Sequence, residues 1–175
     1  MINVGEEDAN EKFVMVTKFQ GPTKDDFGKA VKIMRLDAND QVIWSNTFYD
    51  NIGEGVRGLR LEKGYSEEDP VLYALTTVWE EDDNRYVGGV LEIDMATGSL
   101  VNDFHFATDV NEDFINTYPF DLDYSPDQNA LYIGGFDSRD EIMELEQDSE
   151  KRSFSGCLKQ KTVKQGTETP SLQFL

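Results

Sequence analysis

The chain has 175 residues, 38% of them hydrophobic and 11% aromatic, enough apolar material for one folded domain with a sizeable core, which excludes a disordered chain. Its formal net charge of −19 repels nucleic acid and anionic membrane surfaces, so neither is expected as a partner, and it favours solubility, a cation or a basic partner, with a plain solvated acidic surface as the simplest reading. Cys157 is the only cysteine, which rules out an intramolecular disulfide and a cysteine-based zinc site within one chain.

The opening "MINVGEEDAN" lacks the basic start and apolar stretch of a signal peptide, and no apolar run approaches the length of a membrane span. As written, the chain is expected in the cytoplasm; a mature or excised segment would instead place it outside the cell or at its surface. A short extended piece at Ile2, a polar turn and the strand "FVMVTKF" from Phe13 come first. "GPTKDDFGKA" from Gly21 is not a phosphate-binding loop, because six residues instead of four separate its glycines and Ala30 stands where Ser or Thr is needed. A hairpin follows in "AVKIMRLDANDQVIWSNTFY", with β-branched and aromatic residues and alternating polarity on either side of the turn.

The order then recurs. "LRLE" at Leu59 leads through "KGYSEEDP" to "VLYALTTVW" from Val71, an acidic loop, and the hairpin "YVGGVLEIDMATGSLVNDFHF". "PFDLDY" at Pro119 leads through "SPDQN" to "ALYIGGF" from Ala130, a longer acidic loop, and a weaker hairpin, "FSGCLKQKTVKQGTETPSLQF". Aligning Phe13, Leu72 and Leu131 gives two equal steps of 59 residues, the mark of a repeated unit. Asp37 and Asp94 each stand just before a hairpin turn, where an Asp carboxylate accepts backbone N–H groups two residues on and closes the turn. Helical spacing occurs only in "SRDEIMELEQDSEK", residues 138–151, read as an acidic insertion with Ser138 and Glu141 as a capping box.

The hairpin "KAVKIMRLDANDQVIWSNTF", followed by "GVRGLRLEKG" and "DPVLYALTTVW", resembles the bacterial β-propeller repeat family, through Arg35, Leu36, Asp37, Trp44, Ser45, Thr47, Phe48, Leu72 and Tyr73, and through Leu131, Tyr132, Ile133 and Gly135 in the third unit. Family turns carry Gly where this chain has Asp40, and Val101 stands in place of Trp44 in the second unit. The resemblance implies an all-β domain of about three four-stranded antiparallel propeller-like blades, over residues 1–56, 57–115 and 116–175. Such a scaffold has no shared catalytic residues. Propellers close with four to eight blades, so three blades imply part of a larger propeller, completion by oligomerisation, or an open stack or sandwich instead, and the chain starting inside an apparent first strand at Ile2 favours the first two. Residues 151–175 hold Lys151, Arg152, Lys159, Lys161 and Lys164 against Glu168, a balance of +4 that leaves −23 on residues 1–150, and that asymmetry suits head-to-tail pairing.

Candidate sites are few. Tyr65, Trp79, Tyr86 and Tyr118 fall at strand ends or in loops, where a propeller presents aromatic rings to a partner. Asp109, Asn111 and Asp113 alternate oxygen ligands suited to calcium, but Phe114 and Phe120 occupy the positions where a helical-hand loop needs Gly and Glu, so a plain acidic loop with no cofactor is expected and calcium is the alternative. His105, the only histidine, alternates with Phe104 and Phe106 and is read as an exposed or hydrogen-bonded structural residue. Carboxylate pairs such as Asp82 with Asp83 and Glu67 with Glu68 carry no sign of the unequal environments that glycoside hydrolysis needs. The expectation is a non-enzymatic protein-binding or assembly module that presents blade loops and sheet edges to a partner or to copies of itself. The alternatives are a fragment of a propeller hydrolase or quinone-cofactor dehydrogenase, and a calcium-stabilised extracellular adhesion module.

Overall fold

The computed structural model describes residues 2–7, 11–18, 30–49, 56–66, 69–80, 82, 84–107, 116–127, 129–138, 152–159 and 172–174, giving the strand path alone for 2–7, 65, 66, 138, 152–159 and 172–174. The described residues are all-β, without a helix, in twelve strands. Sheet 1 consists of β1 (Ile2–Glu7), β2 (Glu11–Lys18), β3 (Ala30–Asp37) and β4 (Val42–Phe48). Sheet 2 consists of β5 (Arg57–Ser66), β6 (Asp69–Glu80), β7 (Arg85–Asp94) and β8 (Leu100–Phe106). Sheet 3 consists of β9 (Asn116–Ser125), β10 (Ala130–Ser138), β11 (Arg152–Lys159) and β12 (Leu172–Phe174). Each is a four-stranded antiparallel meander in chain order.

The two clear hairpin turns form as their sequences require. Asp37 Oδ1 accepts the N–H groups of Asn39 at 2.8 Å and Gln41 at 2.9 Å, and Asp94 Oδ1 accepts the N–H of Thr97 at 2.7 Å and its hydroxyl at 2.8 Å. These bonds favour the ionised carboxylates and hold both below the usual range. Asp40 has φ of 61° and Gly98 has φ of 75°, so both turns use a left-handed residue. Asp40 and Gly98 thus answer the same backbone demand in the two turns.

The sheets stack in chain order, with sheet 2 in the middle. One core lies between sheets 1 and 2, built from Phe13, Met15, Val31 and Ile33 against Leu61, Leu72, Ala74, Leu91 and Ile93. A second lies between sheets 2 and 3, where Val71, Tyr73, Leu75 and Val90 meet Leu122, Leu131 and Ile133. Consequently β6 is buried on both faces from Val71 to Val78, while β2 alternates buried with half-buried residues. Between sheets the first strands dominate: β5 packs on β1, β2 and β3, and β9 packs on β5, β6 and β7.

Register corrects two sequence equivalences. Phe13 stands opposite Arg35, two residues before Asp37, and the residue opposite Glu92, two before Asp94, is Tyr73. Phe13 and Leu72 lie in the same core, so the step of 59 from Phe13 to Leu72 joins facing surfaces instead of matching ones. In the second hairpin the turn is one residue longer, and Asn102, not Val101, faces Glu92 as Trp44 faces Arg35. The helical spacing read in residues 138–151 lies outside the described residues beyond Ser138, which ends β10.

Candidate functional site

Three of the four aromatic residues singled out from the sequence come together where sheets 2 and 3 meet. β6 ends and β7 begins there, bringing the rings of Trp79 and Tyr86 to 4.8 Å edge-on. Tyr86 lies 5.7 Å from Tyr118 of β9, Tyr118 lies 5.3 Å from Phe136 of β10, and Phe136 lies 6.5 Å from Phe120. Alternation along β6 and β7 turns Trp79 and Tyr86 toward sheet 3, and Asn116 locks the join by accepting the Tyr86 N–H at 2.8 Å through its Oδ1. Tyr86 and Tyr118 are only 4% and 2% exposed, so they act as packing between sheets. Phe120, at 59% exposure, is the ring of this row that solvent or a partner meets. Tyr65 lies within β5, away from the row in register, and its side chain is outside the described set. Asp109, Asn111 and Asp113 lie outside the described residues, as do Glu67, Glu68 and Asp83.

A second cluster ties sheet 1 to sheet 2. Tyr49, at φ of 59° just after β4, sends its hydroxyl across to donate to Asp103 Oδ1 at 2.8 Å. His105 Nε2 lies 3.4 Å from the same oxygen, and His105 Nδ1 lies 3.3 Å from Glu80 Oε1. His105 sits opposite Gly89 in the register, on the other face from Phe104 and Phe106. Two carboxylates flanking one ring favour imidazolium, so the Asp103 hydrogen bond, opposed by burial and helped by Glu80, raises the His105 pKa. Burial and then the Asp103 charge raise that of Tyr49, which keeps its hydroxyl a proton donor. The chemistry available here is a held proton between two carboxylates, which fastens neighbouring sheets. Strand alternation made the face of His105 and its i−2 neighbour Asp103 legible, but Glu80 comes from β6 and Tyr49 from the segment after β4, and no local spacing signals those two.

The turn of the second hairpin is gripped from sheet 1. Arg35 Nη1 and Trp44 Nε1 each donate to the Met95 carbonyl at 3.0 Å, and Asn46 Nδ2 donates to the Gly98 carbonyl at 2.7 Å. Beside it, Glu11 pairs with Arg35 of its own sheet and, at 3.6 Å, with Lys63 of β5. Lys63 Nζ stands 5.5 Å from the Phe13 ring centre, within cation–π range. In the matching place between sheets 2 and 3, Tyr73 packs on Tyr124 at 5.9 Å.

Among the described residues, no group of three His, Cys, Asp or Glu side chains is placed to hold a metal ion, and no helix is long and apolar enough to cross a membrane. Comparison of the chain with protein-family models, curated proteins and solved structures gives no match.

Proposed function

We propose that this chain is a propeller-type scaffold whose work is non-covalent: a protein-binding and assembly module acting through the end faces and edges of its stack of sheets. The observation that carries this reading is that one inter-sheet contact occurs twice. The first strand of sheet 2 packs on the first three strands of sheet 1, and the first strand of sheet 3 does the same to sheet 2. Matching residues make it: Lys63, opposite Leu72, meets Phe13, and Tyr124, opposite Leu131, meets Tyr73. We read sheets that fan from their first strands in this way as blades around an axis. A contact using one face of one unit and the opposite face of the next is heterologous, and it propagates until the ring closes. Among the described residues, each end sheet makes on one face the contact that the middle sheet makes on both. Sedimentation velocity from about 1 to about 300 μM, which spans a weak specific contact of about 10 μM, tests the reading. Concentration-dependent assembly is expected, and a chain that keeps its monomer mass throughout would overturn it.

A further inference from the structure

The outer strands of sheets 1 and 2 end in edges of different character. Among the described residues, β4 pairs with β3 alone and β8 with β7 alone. The Asp37 N–H bonds to the Gln41 carbonyl and the Asp94 N–H to the Ser99 carbonyl, both at 2.9 Å. By alternation, Arg35, Ile33 and Val31 of β3, and Glu92, Val90 and Gly88 of β7, turn their N–H groups the same way, toward the outer strand. Their register partners, Trp44, Asn46 and Phe48 in β4 and Asn102, Phe104 and Phe106 in β8, are thereby bonded inward. The residues between them turn N–H and C=O to the edge: Ser45 and Thr47 in β4, Asp103 and His105 in β8. In β8 these are ionisable side chains, which guard an edge, and they are already held by Tyr49 and Glu80. In β4 they are exposed hydroxyl residues within Gln41 to Tyr49, a run without charge in a chain of net charge −19.

Resting on the assembly reading above, we propose that the β4 edge docks a second copy of this chain: the two β4 strands pair antiparallel about a two-fold axis at Asn46 and join both copies of sheet 1 into one continuous sheet. Register is the first argument for that occupant. With Asn46 opposite its own copy, Ser45 of each chain faces Thr47 of the other, and each such pair exchanges both of its N–H···O bonds, so every outward group is satisfied. An axis at Ser45 would put Thr47 opposite Ile43, which the ladder skips between Val42 and Trp44. An axis at Thr47 would put Ser45 opposite Tyr49, beyond the strand at φ of 59°. A strand edge that satisfies itself under a two-fold needs no second kind of surface. Charge is the second argument. Copies this acidic repel each other, and β4 lets them approach without carrying a carboxylate into the joint.

The test uses two double variants at these exposed positions, their fold checked by circular dichroism. Ser45→Lys with Thr47→Lys, and Ser45→Glu with Thr47→Glu, each place like charges opposite one another across the joint. Each is expected to associate at least about tenfold more weakly than the parent chain in sedimentation velocity. Their equimolar mixture sets lysine opposite glutamate and is expected to recover association. The parent chain gives a readout that needs no variant: amide hydrogen exchange at Ser45 and Thr47 should slow from about 1 to about 300 μM as assembly proceeds. Either variant assembling like the parent, a mixture that stays monomeric, or slowing at Asp103 and His105 instead would overturn the proposal and leave assembly to another surface. A parent chain that never assembles would remove the assembly reading as well, a result distinct from all of these.

Discussion

At the scale of single residues, the joints between sheets rest on a few polar side chains and on two left-handed turns. His105 binds its proton more tightly in the fold than in the unfolded chain, because Asp103 and Glu80 face its two ring nitrogens and Tyr49 donates to Asp103 from the opposite sheet. A raised folded pKa means that its stabilisation is complete below the unfolded value of about 6.5 and is lost as pH rises through the folded value. The effect should not exceed about 1 kcal/mol, since the three side chains are about a third exposed and solvent screens them. Urea melts of the parent chain and of His105→Gln at stepped pH should show a decline above about pH 6.5 in the former only; equal profiles would assign the pH dependence elsewhere. Gly98 makes a sharper demand. At φ of 75°, with a Cβ falling 2.6 Å from Trp44 Cε3 and 2.7 Å from Asn46 Nδ2, Gly98→Ala should cost roughly 2 kcal/mol or more from backbone strain and overpacking. A melt midpoint unchanged in that variant would show that the turn is not held against sheet 1.

At the scale of elements, hairpins were the legible part of the sequence and register the illegible part. Asp37 and Asp94 announce their turns because the carboxylate acts on N–H groups within four residues, so the physics is local. The step from Phe13 to Leu72 slipped because β6 is buried from Val71 to Val78 on both faces, and a strand without alternation gives no cue to which residues share a face. Trp79, Tyr86 and Tyr118 lie at the ends of three strands, and their convergence depends on how sheets 2 and 3 stack, which no spacing within one strand encodes. The outer strands β4 and β8 share another feature: the ladder shifts between Arg35 and Leu36 and between Glu92 and Ile93. Just beyond the turns stand exposed apolar pairs, Val42 and Ile43 at 58% and 51%, and Leu100 and Val101 at 48% and 46%. β4 has no charged residue to guard its open edge. Ile43→Lys should therefore leave stability within about 0.5 kcal/mol and reduce turbidity on heating, whereas a large stability loss would mean that Ile43 is covered.

At the scale of the whole molecule, the asymmetry of the stack matters most. Sheet 2 has both faces filled, by Leu72, Ala74 and Leu91 on one side and Val71, Tyr73 and Leu75 on the other, while sheets 1 and 3 each turn one filled face inward. The composition already implied a folded, acidic chain, yet the order of the sheets is not visible without knowing which strands meet. The proposed assembly through the ends of this stack makes a definite prediction. Small-angle X-ray scattering over a concentration series tests that most directly: the proposed assembly should give a particle mass that rises above the 19.9 kDa of the single chain, whereas one that stays at the single-chain mass throughout would contradict it.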